Sequence, residues 1–134
     1  MVQIIGAGPV GNYTAYLLAQ AGFAPTVHEE HSITGKPIQC TGIMTAYLSD
    51  LISLGVKSAS EEFLVNTITG TRVFGPGGES VYIKLKKNYI VDRHLFDKHL
   101  AQLAQNEGAK YVYNSRFVQG QRDGNTLQLQ FADG

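Results

Sequence analysis

Three glycines packed behind the first apolar run constrain this chain more than anything else in it. The chain opens "MVQIIGAGPVGNYTAYLLAQAGF", and Gly6, Gly8 and Gly11 stand at G-x-G-x-x-G spacing. They lie between a strand-like run, Val2–Ile5, and a helix-like run, the one context in which that spacing carries weight. The helix is expected to begin near Pro9 or Val10, because a proline in the first helical turn loses no needed N–H. Ala15, Leu18 and Gly22 share one helical face by their spacing, and Gly22 ends the helix. "APTVHEE" then reads as a second strand ending in two glutamates. Strand, glycine turn, helix and strand make one βαβ unit, whose sheet is parallel and whose crossover is right-handed.

The unpaired N–H groups and positive pole of a helix start form an anion site. In such a turn Gly6 permits the tight bend, Gly8 lets a pyrophosphate approach bare backbone, and Gly11 lets helix and strand pack closely. Glu29 lies 18 residues after Gly11, near the roughly 20 expected for a carboxylate that accepts hydrogen bonds from a ribose 2′-hydroxyl. Glu30 is the neighbouring candidate, and Glu29 is preferred because it directly follows the apolar strand. The alternative is two ordinary solvated glutamates at a strand end. An acid at this place disfavours a 2′-phosphate, and so NADP.

Beyond this unit, "HSITGKPIQCTG" is a loop. "IMTAYLSDLISLG" reads as a helix, with Ile43, Tyr47, Leu51 and Leu54 recurring before Gly55. Two strands follow, "EFLVNTITGTRVFGP" and "SVYIKLK", joined by a Gly-Gly turn. Alternation of Val81, Ile83 and Leu85 with Tyr82, Lys84 and Lys86 predicts a half-buried antiparallel strand. "DRHLFDKHLAQLAQNEG" is the clearest helix, with Asp92 as its cap, an apolar stripe of Leu95, Phe96, Leu100, Leu103 and Ala104, and Gly108 as its stop. "KYVYN" is a further strand, and the last segment a hairpin turned at Asp123-Gly124. The fold class is therefore α/β, a Rossmann-type FAD/NAD(P)-binding fold with a βαβ start and an antiparallel β insertion. Residues 1–134 are expected to form the N-terminal part of an FAD-binding domain, with 43–88 as a helix-and-antiparallel-strand excursion toward a substrate domain. The final "LQLQFADG" suggests a truncated chain, an N-terminal fragment of a longer protein. A bare NAD domain would continue with alternating β and α units, so the antiparallel strands favour FAD.

Lys and Arg number 11, as do Asp and Glu, which argues against a nucleic-acid partner bound through phosphate neutralisation. No apolar run approaches the roughly 18 residues that span a bilayer. The single cysteine, Cys40, excludes an internal disulfide or a cysteine-rich zinc site and suggests a cytoplasmic setting. His28, His31, His94 and His99 lack metal-ligand spacing, so no metal is expected.

"GAGPVGNYTAYLLAQAGFAPTVHEE", "GKPIQCTG" and "DRHLFDKHLAQLAQNEGAKYVYNSRFV" together resemble the N-terminal part of the geranylgeranyl reductase family. That family belongs to the FAD-dependent oxidoreductases of p-hydroxybenzoate-hydroxylase-like fold. The glycine turn and the Arg-x-x-Phe-Asp-type helix are shared across that large group, while "PIQCTG" points to the reductase branch. The resemblance implies tightly bound FAD and reduction of isolated C=C bonds of polyprenyl chains, on lipids or chlorophyll precursors. An unknown external donor would reduce the flavin, hydride would pass to an alkene carbon, and a proton would complete the addition. Gly6, Gly8, Val10 and Gly11 would meet the pyrophosphate, and Glu29 the adenosine ribose. Cys40, Thr41 and Gly42 would lie beside the flavin ring, Arg93 at the phosphate–ribityl region, and Phe117 at the adenine through its backbone. The family loop has one more residue between its cysteine and glycine than Cys40-Thr41-Gly42.

Cys40 stands open between a small buried hydrophobe and a site residue, and the resemblance tips it toward shaping the flavin pocket or donating to substrate. Arg93, in the first turn of a helix where a cation is unfavourable, mildly supports an anionic partner. A lipid substrate implies peripheral membrane contact, although no helix here is strongly basic. The fragment alone is expected to lack turnover. Rival readings are a flavin monooxygenase acting on an aromatic substrate, a quinone-linked flavin dehydrogenase, and an inactive nucleotide-binding module.

Overall fold

The computed structural model describes residues 2–45 and 60–133. In chain order the elements begin β1 (Val2–Ile5), α1 (Pro9–Gln20), β2 (Pro25–His28) and β3 (Ile43–Thr45). A short α2 (Ser60–Phe63), two long strands, β4 (Leu64–Phe74) and β5 (Ser80–Val91), and α3 (Arg93–Asn106) follow. The chain then runs through β6 (Lys110–Val112), β7 (Ser115–Asp123) and β8 (Thr126–Asp133). Contacts divide it into two units, Met1–Ile38 with Phe96–Gly134, and Gln39–Leu95.

In the first unit β1, β2 and β6 form a parallel sheet in the order β1-β2-β6, with Ile5 opposite His28 and His28 opposite Val112. A strand from beyond the excursion thus joins the sheet begun by the first two. The core is built from small residues: Ala7, Ala15, Val27, Ala104 and Ala109, with Ile4, Tyr16 and Tyr111 packed against them. Short side chains let α1 lie close to the sheet, and the fully buried Val27 contributes about 1.5–3 kcal/mol. The stripe of α3 is rotated from its expected position. Phe96, Asp97, Leu100, Ala101 and Ala104 face inward, while Leu95 is exposed, because the alanines permit the closer approach. The hairpin β7–β8 turns at Gly124-Asn125, one residue later than expected, with Asp123 opposite Thr126. Gly124 has φ of +56°, as a glycine-first hairpin turn requires.

His28 ties the parallel sheet to the hairpin. Its Nδ1 lies 3.0 Å from Ser115 Oγ and its Nε2 2.7 Å from Gln3 Oε1, and the ring stacks on Phe131 at 4.0 Å. The Gln3 oxygen only accepts, so Nε2 carries the proton and the Ser115 hydroxyl donates to Nδ1. Burial pushes the His28 pKa below its usual 6.5. A group whose pKa is lower folded than unfolded adds stability above the unfolded value and loses it as pH falls. Thermal stability is therefore expected to decline as pH drops below about 6.5, and an NMR titration should show His28 as the Nε2–H tautomer over the neutral range. A stability flat from pH 7 to pH 5, with His28 titrating at its ordinary value, contradicts this.

In the second unit β3, β5 and β4 form an antiparallel sheet in that order, around buried Met44, Phe63 and Val91. Ile43–Thr45 is a strand paired with Asn88–Ile90, not the start of a helix. The rest of that expected helix, with Tyr47, Leu51, Leu54 and Gly55, lies outside the described residues. The strand read as half-buried is mostly exposed on both faces, Val81, Tyr82 and Ile83 included. Its alternation marks a sheet, but among the described residues of this unit no second layer covers that end. Asp92 caps α3 as expected, its Oδ1 accepting from the Leu95 N–H at 3.0 Å. No described helix is long and apolar enough to cross a membrane.

Candidate dinucleotide site

The glycine turn sits at the carboxyl end of β1, where α1 begins. Gly6 bends the chain with φ of +94°, and its N–H donates to the His28 C=O at 2.7 Å. A Cβ on Gly11 would collide with the Gly6 carbonyl oxygen, so only glycine lets α1 lie this close to the strand. A Cβ on Gly8 would meet nothing within 4 Å. The backbone at Gly8 therefore borders open space, as a cradle for a ligand must.

The first bond of the helical ladder runs from the Asn12 N–H to the Gly8 C=O at 2.9 Å. The Val10 and Gly11 N–H groups come before it, Pro9 has none, and Gly8 has no side chain with which to cap them. The donors and dipole of this helix start are what an anion requires.

The two adjacent glutamates separate in space. Glu29 is buried, and its Oε2 accepts from the Ala7 N–H at 2.7 Å, in the middle of the glycine turn. Its Oε1 takes two donors, the His31 N–H at 3.0 Å and His31 Nδ1 at 2.7 Å. A carboxylate has about four acceptor positions. Oε1 is therefore filled, while Oε2 keeps a lone pair for a further donor such as a sugar hydroxyl. Burial pushes the Glu29 carboxyl up, but the His31 and Ala7 N–H groups and the His31 ring outweigh it, and the carboxyl lies below its ordinary value. Glu30 is exposed and faces Arg116 at 3.8 Å, a surface pair of little energetic weight.

Phe117 lies on β7 opposite Phe131, and the ladder slips directly after it, leaving Val118 as the extra residue of a bulge. Val10 is 80% exposed, beside the turn. Gly6, Gly8, Val10, Gly11, Glu29, Glu30 and Phe117 all belong to the first unit, whereas Cys40, Thr41, Gly42 and Arg93 belong to the second. Cys40 is exposed, which removes its reading as a small core hydrophobe. Gly42 is buried with φ of +74°, and a Cβ there would strike the Val91 carbonyl oxygen. The fold of that unit requires a glycine at this place whatever it binds. Arg93 opens α3 and is half-buried.

Two residues of the site were not foreseen. His31, two positions after Glu29, closes on its carboxylate. Asn12, fully buried on α1, donates from Nδ2 to the Ala7 C=O at 2.8 Å and to the Asp97 C=O at 3.0 Å. Its Oδ1 accepts from the Tyr111 hydroxyl at 2.9 Å. A signal for it was present in the sequence: Asn12 shares one helical face with Ala15 and Ala19, so a polar side chain occupies a buried stripe.

A parallel βαβ start, an uncapped glycine turn with bare backbone, and a carboxylate brought to it from the end of the second strand define a dinucleotide-binding protein. Residues 1–134 match the FAD binding domain family. The chain belongs to that family, and its cofactor is FAD. It is 32% identical over 92% of its length to a digeranylgeranylglycerophospholipid reductase of Methanocaldococcus jannaschii, of which it covers 31%. A protein of the same name from Picrophilus torridus is 28% identical over 94% of this chain, covering 32% of that protein. A geranylgeranyl bacteriochlorophyll reductase-like structure from Thermoplasma acidophilum superposes with a TM-score of 0.82 at 24% identity, over 98% of this chain and 34% of that one. That likeness shows a common fold. The chain spans about a third of the length of these relatives.

Proposed function

We propose that this chain is the flavin-binding part of a reductase that saturates C=C bonds of polyprenyl, geranylgeranyl-type groups on lipids. The observation that carries the reading is similarity along nearly the whole chain to proteins named digeranylgeranylglycerophospholipid reductase. FAD supplies the hydride for such a reduction. In this reading the N–H groups of Gly8, Val10 and Gly11 hold the pyrophosphate beside the Gly6 bend. The free lone pair of Glu29 Oε2 accepts from the adenosine ribose, and the backbone at Phe117 faces the adenine. For Cys40, Thr41, Gly42 and Arg93 the proposed roles rest on the family resemblance alone: the first three beside the flavin ring, Arg93 at the phosphate–ribityl region. In this reading the protein works in the cytoplasm, in peripheral contact with a membrane surface, and takes electrons from an external donor.

The test uses the natural full-length protein. It is expected to purify yellow and, once reduced without oxygen, to be reoxidised by a geranylgeranyl lipid that gains two hydrogens per double bond. A protein colourless even after FAD is added overturns the flavin reading. Product formation only with oxygen and an aromatic substrate overturns the reductase reading in favour of a monooxygenase.

A further inference from the structure

We infer that Asn12 is a positioning residue for the flavin pyrophosphate, acting through the peptide between Ala7 and Gly8 and held in its own orientation by Tyr111. The inference rests on the FAD reading above and goes beyond it by assigning a role to a side chain on the far side of the turn.

Asn12 holds two consecutive carbonyls. Its main-chain N–H takes the Gly8 C=O at 2.9 Å and its side-chain amide takes the Ala7 C=O at 2.8 Å. Because a peptide is planar and trans, the N–H of each unit points opposite to its C=O. Drawing the Ala7 C=O toward Asn12 therefore turns the Gly8 N–H away from it, out of the packed interior. On the other flank Glu29 Oε2 takes the Ala7 N–H, and the His28 C=O takes the Gly6 N–H, both at 2.7 Å. Four successive peptide planes, from Ile5–Gly6 to Gly8–Pro9, are each fixed by one hydrogen bond. A binding backbone fixed before its ligand arrives has no ordering to do on association.

The Asn12 amide has only one workable orientation. Two carbonyl oxygens, those of Ala7 and Asp97, face one end of it, so that end is the NH2. The other end accepts from the Tyr111 hydroxyl, which has to donate because Oδ1 cannot. Burial pushes the Tyr111 pKa well above its ordinary value, so this hydroxyl keeps its proton. Asn12 is fully buried, and every one of its side-chain bonding groups is used. An ordinary core position on this alanine-lined face needs none of that.

The experiment compares full-length protein with Asn12→Ser and Tyr111→Phe variants. FAD affinity is read well below the unfolding temperature, where circular dichroism shows each protein fully folded, together with the 31P spectrum of the bound flavin. The shorter serine cannot span both carbonyls, and FAD binding is expected to weaken about tenfold or more, the size of one charge-assisted bond. The 31P pyrophosphate resonances should shift while the flavin absorbance bands stay in place. Tyr111→Phe, which leaves the Asn12–Ala7 bond but frees its amide to turn, is expected to show the same shift with a smaller loss. A variant that is less heat-stable yet binds FAD with unchanged affinity and 31P shifts has lost only packing, and overturns the inference. If Asn12→Ser does not fold, Tyr111→Phe decides on the same readouts. Failure of the unaltered protein to bind FAD overturns the flavin reading and this inference with it, whereas normal binding beside unaltered variants overturns the inference alone.

Discussion

Gly11→Val is expected to give a protein that unfolds at a markedly lower temperature and no longer retains FAD. The added Cβ would meet the Gly6 carbonyl oxygen. That atom belongs to backbone already held between the Gly6 and Ala7 hydrogen bonds, so it cannot yield as a side-chain end would. Relief requires α1 to move off β1, and overfilling a packed region of this kind costs about 1–3 kcal/mol. For a domain near this size that is a fall in Tm on the order of 5–15 °C. The same movement drags the Val10 and Gly11 N–H groups away from the Gly8 cradle. Gly8→Ala separates the two effects. Its Cβ meets nothing within 4 Å, and Gly8 has φ of −76° and ψ of −179°, which alanine adopts freely. That variant should melt close to the unaltered protein and still bind FAD weakly, because the methyl enters the open space proposed for the pyrophosphate. Melting curves and flavin titrations check both, and a Gly11→Val protein matching the original in each removes the close approach from the account.

How far the fold could be read in advance depended on how local each determinant is. Gly6, Pro9 and Gly22 act within a few residues of themselves, so the order β1, α1, β2 and its parallel pairing were legible. Ile43–Thr45 was not. Its apolar spacing with Tyr47 and Leu51 is helical, but its pairing partner is Asn88–Ile90, more than forty residues away, and a period cannot register a partner at that distance. The alternation through Val81–Lys86 correctly marked a strand and wrongly implied cover, since alternation records which side chains share a face and not whether anything packs on it. On α3 the alanines at 101 and 104 set the buried face, where a count of large apolar residues favours Leu95.

In the site the same division holds. That Gly6, Gly8, Gly11 and Glu29 meet at one turn was legible because spacing alone relates them to one another through a βαβ unit. The preference between Glu29 and Glu30 rested on the end of the apolar run, and the structure places only the Glu29 carboxylate at the turn. Asn12 was missed because two of its partners, Asp97 and Tyr111, are 85 and 99 residues away in sequence. His31 lay close enough to be noticed, but a histidine after two glutamates reads as surface until the carboxylate is known to turn inward.

Glu29→Gln is expected to weaken FAD binding about a hundredfold, although the substitution changes the side chain by one atom. An amide cannot accept at both ends. With its oxygen toward His31 its NH2 faces the Ala7 N–H, and when reversed it faces the His31 N–H, so one buried donor loses its partner either way. The loss of that bond, together with the charged acceptor proposed for the ribose, amounts to about 3 kcal/mol. Acid gives an independent check. The Glu29 pKa lies below its unfolded value of 4.5, so its contribution is complete above about pH 4.5 and fades as pH falls through the folded value. The decline assigned to His28 starts higher, below about 6.5, and is common to both proteins. Subtracting the Tm–pH curve of Glu29→Gln from that of the unaltered protein should therefore leave a difference that shrinks as pH falls below about 4.5. A difference unchanged down to pH 3 means the Glu29 carboxylate is not ionised against the turn, and its place at the centre of the site is lost.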